Sequence, residues 1–169
     1  MITPIIHILG PGGAGKSTVG AILAKNLEWV GIDLDDYFME SSGDISSFIN
    51  RHGYLAYANE NLSRYHSVTR AATDPSVVVL SSGFMTYPPD IAPGYRNIRD
   101  AIEQHPFSVL LLPSFDIEEC VEIIVDRQLQ RQYLAADRKR EEGRLRDRFP
   151  LFMTLRCKHF LSNLNPAQV

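Results

Sequence analysis

The chain predicts an α/β three-layer sandwich, a five-stranded parallel sheet with helices on both faces. Three observations predict it. Short apolar segments alternate with helix-periodic segments from one end of the chain to the other. Two of the apolar segments, Val77-Val78-Val79-Leu80 and Phe107 to Leu112, lack polar alternation, as strands covered on both faces do. No repeat, linker or low-complexity stretch divides the 169 residues, which suit one domain over residues 1–169.

Pro4 to Leu9 reads as the first strand, closed by a glycine-rich turn. Lys16 to Leu27 reads as a helix with Val19, Leu23 and Leu27 on one face, and Gly20 and Ala21 allow close approach to a neighbour. Trp29 to Leu34 is the second strand and ends in Asp33-Leu34-Asp35-Asp36. Ser41 to Asp44 is expected to turn, with Asp44 capping a short helix from Ile45. A longer helix runs from Tyr54 to Ala72 and stops before Asp74-Pro75. After the Val77–Leu80 strand come a loop at Tyr87 to Asp90 and a helix from Arg96 to Gln104. Phe107 to Leu112 is the fourth strand. Asp116 and Glu119 have the spacing of a capping box for a helix toward Arg131. The last helix is expected from about Glu141, with Pro150 inside it, and His159 to Leu161 makes a short fifth strand. Ligands of such sheets bind beyond the carboxyl ends of the strands. Gly10 to Ser17, Asp33 to Asp35, Ser81 to Phe84 and Pro113 to Asp116 are therefore expected to meet.

Composition narrows the class. The apolar fraction of 44% is ordinary, and no apolar run is long enough to span a bilayer, so no membrane role is expected. The N-terminus shows no basic region followed by a cleavage site, which places the protein in the cytoplasm by default. A net charge of −3 argues against nucleic acid as a partner. Cys120 and Cys157 have no metal-ligand spacing, and the five histidines are scattered, which suits packing roles. Basic residues crowd between Arg127 and Arg148, interrupted by Asp137, Glu141, Glu142 and Asp147. A solvated helix face laced with ion pairs accounts for that run, and two or three of its arginines meeting phosphate would also account for it.

The chemistry is carried by Gly10-Pro11-Gly12-Gly13-Ala14-Gly15-Lys16-Ser17-Thr18. The spacing is that of a phosphate-binding loop, and it follows a strand and opens a helix. Glycines let successive backbone N–H groups turn inward around a phosphate, and the helix N-terminus adds unpaired donors. Lys16 is placed to bridge the β- and γ-phosphates of ATP, and the Ser17 hydroxyl to ligate Mg²⁺. Asp33 and Asp35, two apart in an extended segment, are expected on one side of the chain. One would then serve the magnesium and the other accept a proton from a substrate hydroxyl. The third strand ends in Ser81-Ser82-Gly83 rather than an aspartate, which disfavours motor or GTPase-like chemistry.

In this order the features resemble the shikimate kinase family of small P-loop kinases. The resemblance rests on Gly10 to Thr18, on Asp33-x-Asp35, and on Arg148-Phe149-Pro150-Leu151-Phe152, which is similar to the family's Arg-x-Pro-Leu-Tyr. It implies a P-loop kinase fold with a helical lid, ATP and Mg²⁺ as cofactors, and a small hydroxy acid as substrate of a monomer. Asp35 would meet the acceptor hydroxyl, Asp33 would serve the magnesium, and Arg148 would grip the acceptor carboxylate beside Gly83. Arg131 opens a segment similar to the family's Arg-Pro-Leu-Leu, so a lid is expected near 132–140 with Arg131 reaching the transferred phosphate. Two departures fall in the acceptor pocket. The family's Gly-Glu-x-x-Phe-Arg reads Gly53-Tyr54-Leu55-Ala56-Tyr57-Ala58 here, so a carboxylate-binding arginine is Ala58. Its run of three glycines reads Gly83-Phe84-Met85, expected to make a tighter, more apolar wall. A gluconate-kinase-like or other small-molecule kinase, and a nucleotide-binding module weak in catalysis, stand as alternatives.

Overall fold

The computed structural model describes residues 3–129 and 138–169. In chain order its elements are β1 (Ile5–Leu9), α1 (Lys16–Leu27), β2 (Val30–Asp33), α2 (Leu34–Ser42), α3 (Ile45–His52) and α4 (Tyr54–Ala71). They continue with β3 (Ser76–Val79), α5 (Tyr95–Glu103), β4 (Ser108–Leu112), α6 (Ile117–Leu129), α7 (Arg138–Met153) and β5 (Lys158–Leu161). All pairings are parallel, in the order β2-β3-β1-β4-β5. β1 sits at the centre with β3 and β4 on either side, so the connection leaving β1 runs toward β2 while the one leaving the adjacent β3 runs the opposite way, toward β4. That is where a parallel α/β sheet opens its ligand crevice.

Strand periodicity divides the interior into two layers. Ile8, Val77, Val79 and Leu111 face α1 and pack with Ala14 and Ala24. Leu9, Val78, Leu80, Leu110 and Leu112 face the other way, onto Ala58 and Leu62 of α4, Ile102 of α5, Cys120 and Ile124 of α6, and Leu145 and Phe149 of α7. Gly20 on α1 is required by this packing, since a Cβ there would lie 2.4 Å from the Val79 side chain. His7 takes the Leu9 face, where it is 3% exposed. The Tyr65 hydroxyl meets its Nε2 at 3.0 Å, and the Ser108 hydroxyl lies 3.3 Å from its Nδ1. Burial and the neighbouring His105 ring hold the His7 pKa down to about 3, so the buried ring is neutral.

Three sequence expectations are corrected. Ser41 and Ser42 do not turn: they close α2, which starts at Leu34 because Asp33 caps it and Leu34 and Phe38 give it a buried face. The last helix starts at Arg138, three residues before Glu141, where the Arg138 guanidinium pairs with Asp126 at 2.6 Å and Glu142 at 3.1 Å. Residues 138–140 of the expected lid are therefore helix, and its residues 132–137 lie outside the described residues. The Asp116 cap holds, donated to by Glu119 N–H at 3.0 Å, but the Glu119 carboxylate turns to the Ser114 hydroxyl at 2.6 Å instead of closing a capping box.

Candidate active site at the carboxyl ends of the strands

The loop after β1 is shaped by glycines. Gly10 has φ 142°, and a Cβ there would lie 2.4 Å from the Leu111 carbonyl oxygen, so the backbone passes too close to β4 for any side chain. Gly15 has φ 86° and forms the N-cap of α1 without supplying a side chain, leaving the first N–H groups of the helix directed into the loop. Gly12 and Gly13 lie under α6, where a Cβ on Gly12 would meet Gln128 Nε2 at 2.6 Å and one on Gly13 would meet Ile124 at 3.3 Å. Ala14 is fully buried and ties the loop to the α1-side core. Lys16 is 8% exposed and donates to the Pro11 carbonyl at 3.0 Å, which curls its ammonium over the loop. Ser17 and Thr18 are exposed at the start of α1. From α6, Arg127 donates to the carbonyls of Gly13 (3.2 Å) and Ser162 (3.1 Å), clamping the loop to the chain after β5. These features form a cradle of backbone donors with one buried cation beside it, the form a polyphosphate fits.

Asp33 and Asp35 come together by a different geometry from the extended one expected. Asp33 ends β2, and its Oδ1 accepts from the Asp35 N–H at 2.9 Å. Asp35 is already in the first turn of α2. The pair is a helix cap and a helix residue, and the cap places the two carboxylates side by side. Asp35 Oδ1 is closed off from solvent and has no hydrogen-bond partner among the described residues. Burial raises its pKa above the usual aspartate value. The Ser81 hydroxyl and the Lys16 ammonium oppose that rise, and the Asp33 carboxylate adds to it. Tyr57 stands on its other side, and its phenol is raised well above its ordinary range by its own burial and by Asp35.

Gly83 lies across the crevice. Its φ of −94° is open to any residue, so only space bears on the glycine. A Cβ would stand 2.8 Å from the Tyr54 hydroxyl and 3.2 Å from Arg148 Nη2. Arg148 donates to Tyr54 Oη at 3.1 Å. Arg144 and Arg146, in the same basic run, pair with acids. Arg144 meets Glu141 at 3.2 Å, and Arg146 makes a two-pronged contact with Glu118 at 2.6 and 2.7 Å. The solvated-face reading holds for them, and Arg148 differs by reaching across to α4. A cleft of about 50 Å³ between Pro11, Gly12, Ser82, Gln128 and Arg148 joins this wall to the loop.

The wall expected of Phe84 and Met85 is corrected. Phe84 is fully buried in the core with its ring against Tyr65 and Tyr87, because the turn after Gly83 directs it inward. Ala58 is likewise fully buried, beside Leu62 in the core. Arg131 lies outside the described residues. Sequence reasoning placed Ser81 at the crevice but gave no role to Tyr54, Tyr57 or the buried pair Asn61–Tyr87, whose side chains meet at 3.0 Å. The departures from the family pattern at positions 54 and 57 were the only signal for any of them. Gln128 over the loop had none.

The sheet order and the loop after β1 define a P-loop kinase fold. The chain belongs to the shikimate kinase family, whose model, described as shikimate kinase, matches residues 12–167. A shikimate kinase of Psychrobacter sp. is 30% identical over 116 residues, 68% of this chain and 59% of that protein. A probable gluconokinase of Rattus norvegicus is 49% identical over 43 residues, 25% of this chain and 23% of that protein. The chain spans about half the length of the curated relatives it matches. The structure of a shikimate kinase from Acinetobacter baumannii in complex with shikimate superposes with a TM-score of 0.74 at 24% identity, over 98% of this chain and 87% of that one. Among the described residues no helix is long and apolar enough to cross a membrane, and no three acidic, histidine or cysteine side chains form a metal cage.

Proposed function

We propose that this protein transfers the γ-phosphoryl group of ATP to a hydroxyl of a small hydroxylated carboxylic acid, with shikimate or a close relative as acceptor. The observation that carries the reading is Asp35 Oδ1, buried with no hydrogen-bond partner among the described residues, beside Lys16 of the phosphate loop, Ser81 and Tyr57. An acceptor hydroxyl placed there gives its proton to Asp35. Its oxygen bonds to the γ-phosphorus as the bond to the ADP oxygen breaks. The raised proton affinity of Asp35 makes it a stronger base than an exposed aspartate. Gly10, Gly12, Gly13, Ala14 and Gly15 cradle the phosphates through the backbone, Thr18 lies at the same helix start, and Lys16 neutralises the transferred charge. Arg131 takes the lid role that the family resemblance implies. Ser17 and Asp33 would hold Mg²⁺, which would supply charge neutralisation at the phosphates and needs no all-protein cage. The protein acts as a monomer of one domain.

The test is ADP release coupled to an indicator, with shikimate, quinate and gluconate offered separately. Shikimate-dependent release supports the reading. The second reading, a gluconate-type acceptor, is favoured by Ala58 lying in the core and by the rat relative's local identity. Release with gluconate and none with shikimate would select it. ATP turnover that no acid stimulates would instead point to a nucleotide-binding module.

A further inference from the structure

We infer that Tyr54 is a specificity-determining residue of the acceptor pocket, forming with Arg148 the clamp that holds the acceptor's carboxylate in place of the arginine missing at Ala58. The inference rests on the function proposed above and names the groups that read its substrate.

Hydrogen-bond directions single out the Tyr54 hydroxyl. A phenol has one proton to donate and lone pairs to accept with. Tyr54 Oη accepts from Arg148 Nη2 at 3.1 Å, so its single O–H is left for another acceptor. Arg148 polarises that O–H and draws the Tyr54 pKa down against the burial that raises it. The O–H and the remaining guanidinium donors converge on one anion, since both groups crowd the same face of Gly83. The Tyr54 ring, 38% exposed, lies tilted 5.9 Å from Tyr57 and edge-on 5.9 Å from Tyr87, and Tyr87 is held in turn by Asn61 at 3.0 Å. A preorganised donor loses little freedom when the ligand arrives. Position 58 offers no alternative. Ala58 is fully buried in the apolar cluster with Leu62, so an arginine there would have to bury its charge or displace the helix.

This clamp carries one positive charge and one neutral donor. It therefore discriminates a carboxylate from its neutral ester through the phenol as well as through Arg148. The test uses Tyr54→Phe, which keeps the ring packing and deletes only the hydroxyl. Shikimate, quinate and gluconate are titrated by calorimetry against the protein saturated with a non-hydrolysable ATP analogue. ADP release is measured in parallel with shikimate and with shikimate methyl ester. We expect Tyr54→Phe to weaken binding of the preferred acid and raise its KM about tenfold, the loss of one hydrogen bond to a charged group. The ATP KM stays unchanged and the acid-over-ester preference narrows by the same factor. Arg148→Lys combined with Tyr54→Phe should cost less than the two changes added, because both act on one carboxylate. Unchanged acid binding and an unchanged acid-over-ester ratio in Tyr54→Phe would overturn the assignment while leaving the kinase reading intact. Failure of the unaltered protein to bind or phosphorylate any of the three acids would overturn the acceptor reading, and the Tyr54 assignment with it.

Discussion

Replacing Asp35 by asparagine should make the protein more stable and nearly inactive, a pair of opposite signs that few other roles for the residue produce. Asparagine keeps the shape of the side chain and removes its charge. In the free protein that charge is held beside Asp33, with Oδ1 buried and without a hydrogen-bond partner among the described residues, and burial has raised its pKa. The sign of the linkage follows from that direction. A folded-state pKa above the unfolded one means that the folded state binds the extra proton, so stability is lost as pH rises through the aspartate range. At neutral pH the ionised Asp35 is therefore a cost of folding. A buried polar group without a partner costs about 1–3 kcal/mol, and asparagine should recover part of that. For a chain of this size each kcal/mol moves Tm by roughly 2–4 °C. The same substitution removes the group that takes the acceptor proton, and a positioned base contributes about 10²–10⁴ in rate, or roughly 2.7–5.5 kcal/mol of barrier. Calorimetric melting without nucleotide, read beside kcat at saturating acceptor and ATP titration, checks both halves. A lower Tm together with retained kcat would refute the reasoning, since Asp35 would then be a structural anion with its partner misidentified.

Lys16→Ala removes the buried cation over the phosphate loop and should weaken ATP binding roughly 10- to 100-fold, as loss of a charge-assisted contact of about 1.5–3 kcal/mol does. Calorimetry showing unchanged ATP affinity would contradict that. Gly83→Ala places a methyl 2.8 Å from Tyr54 Oη and 3.2 Å from Arg148 Nη2, so it should part that pair and raise the acceptor KM several-fold while the ATP KM stays put. Steady-state kinetics at varied acceptor and varied ATP separates the two. The neutral, buried His7 should make the fold acid-labile. Its pKa of about 3 lies below the unfolded value of 6.5, so stability is complete above that value and falls as pH drops from 6.5 toward 3. About 2 kcal/mol should be gone at pH 5. Melting curves from pH 7.5 to 5 check this, with His7→Leu expected to flatten the slope.

Much of this protein is local in origin, and local features are legible in a sequence. The loop from Gly10 to Ser17 depends on residues adjacent in the chain, and so do the strand runs Val77–Leu80 and Phe107–Leu112 and the Asp44 cap of α3, where Ser47 N–H donates at 2.7 Å. The five parallel strands, including the exposed β5, follow from the alternation of apolar runs with helical ones. Helix α2 was not expected at all, because its decisive bond, from Asp35 N–H to Asp33, competes with an extended continuation of β2, and the core behind Phe38 tips the balance. The resemblance singled out Arg148 by its motif, but what distinguishes it from Arg144 and Arg146 is the partner each finds. Glu141 is three residues from Arg144, Glu118 is on another helix, and Tyr54 lies ninety-four positions from Arg148.

Phe84 shows the same division. Its type and position gave no sign of whether it would line the pocket or fill the core, and the short turn after Gly83 decided for the core. The residues thus determined a phosphate-binding loop, two carboxylates and an arginine with a family order. The tertiary structure decided which oxygen of Asp35 is closed off from solvent, which glycine leaves room for Tyr54, and which arginine of α7 reaches that tyrosine. Burial and close approach are properties of surfaces brought together from distant parts of the chain, and no spacing within one segment encodes them.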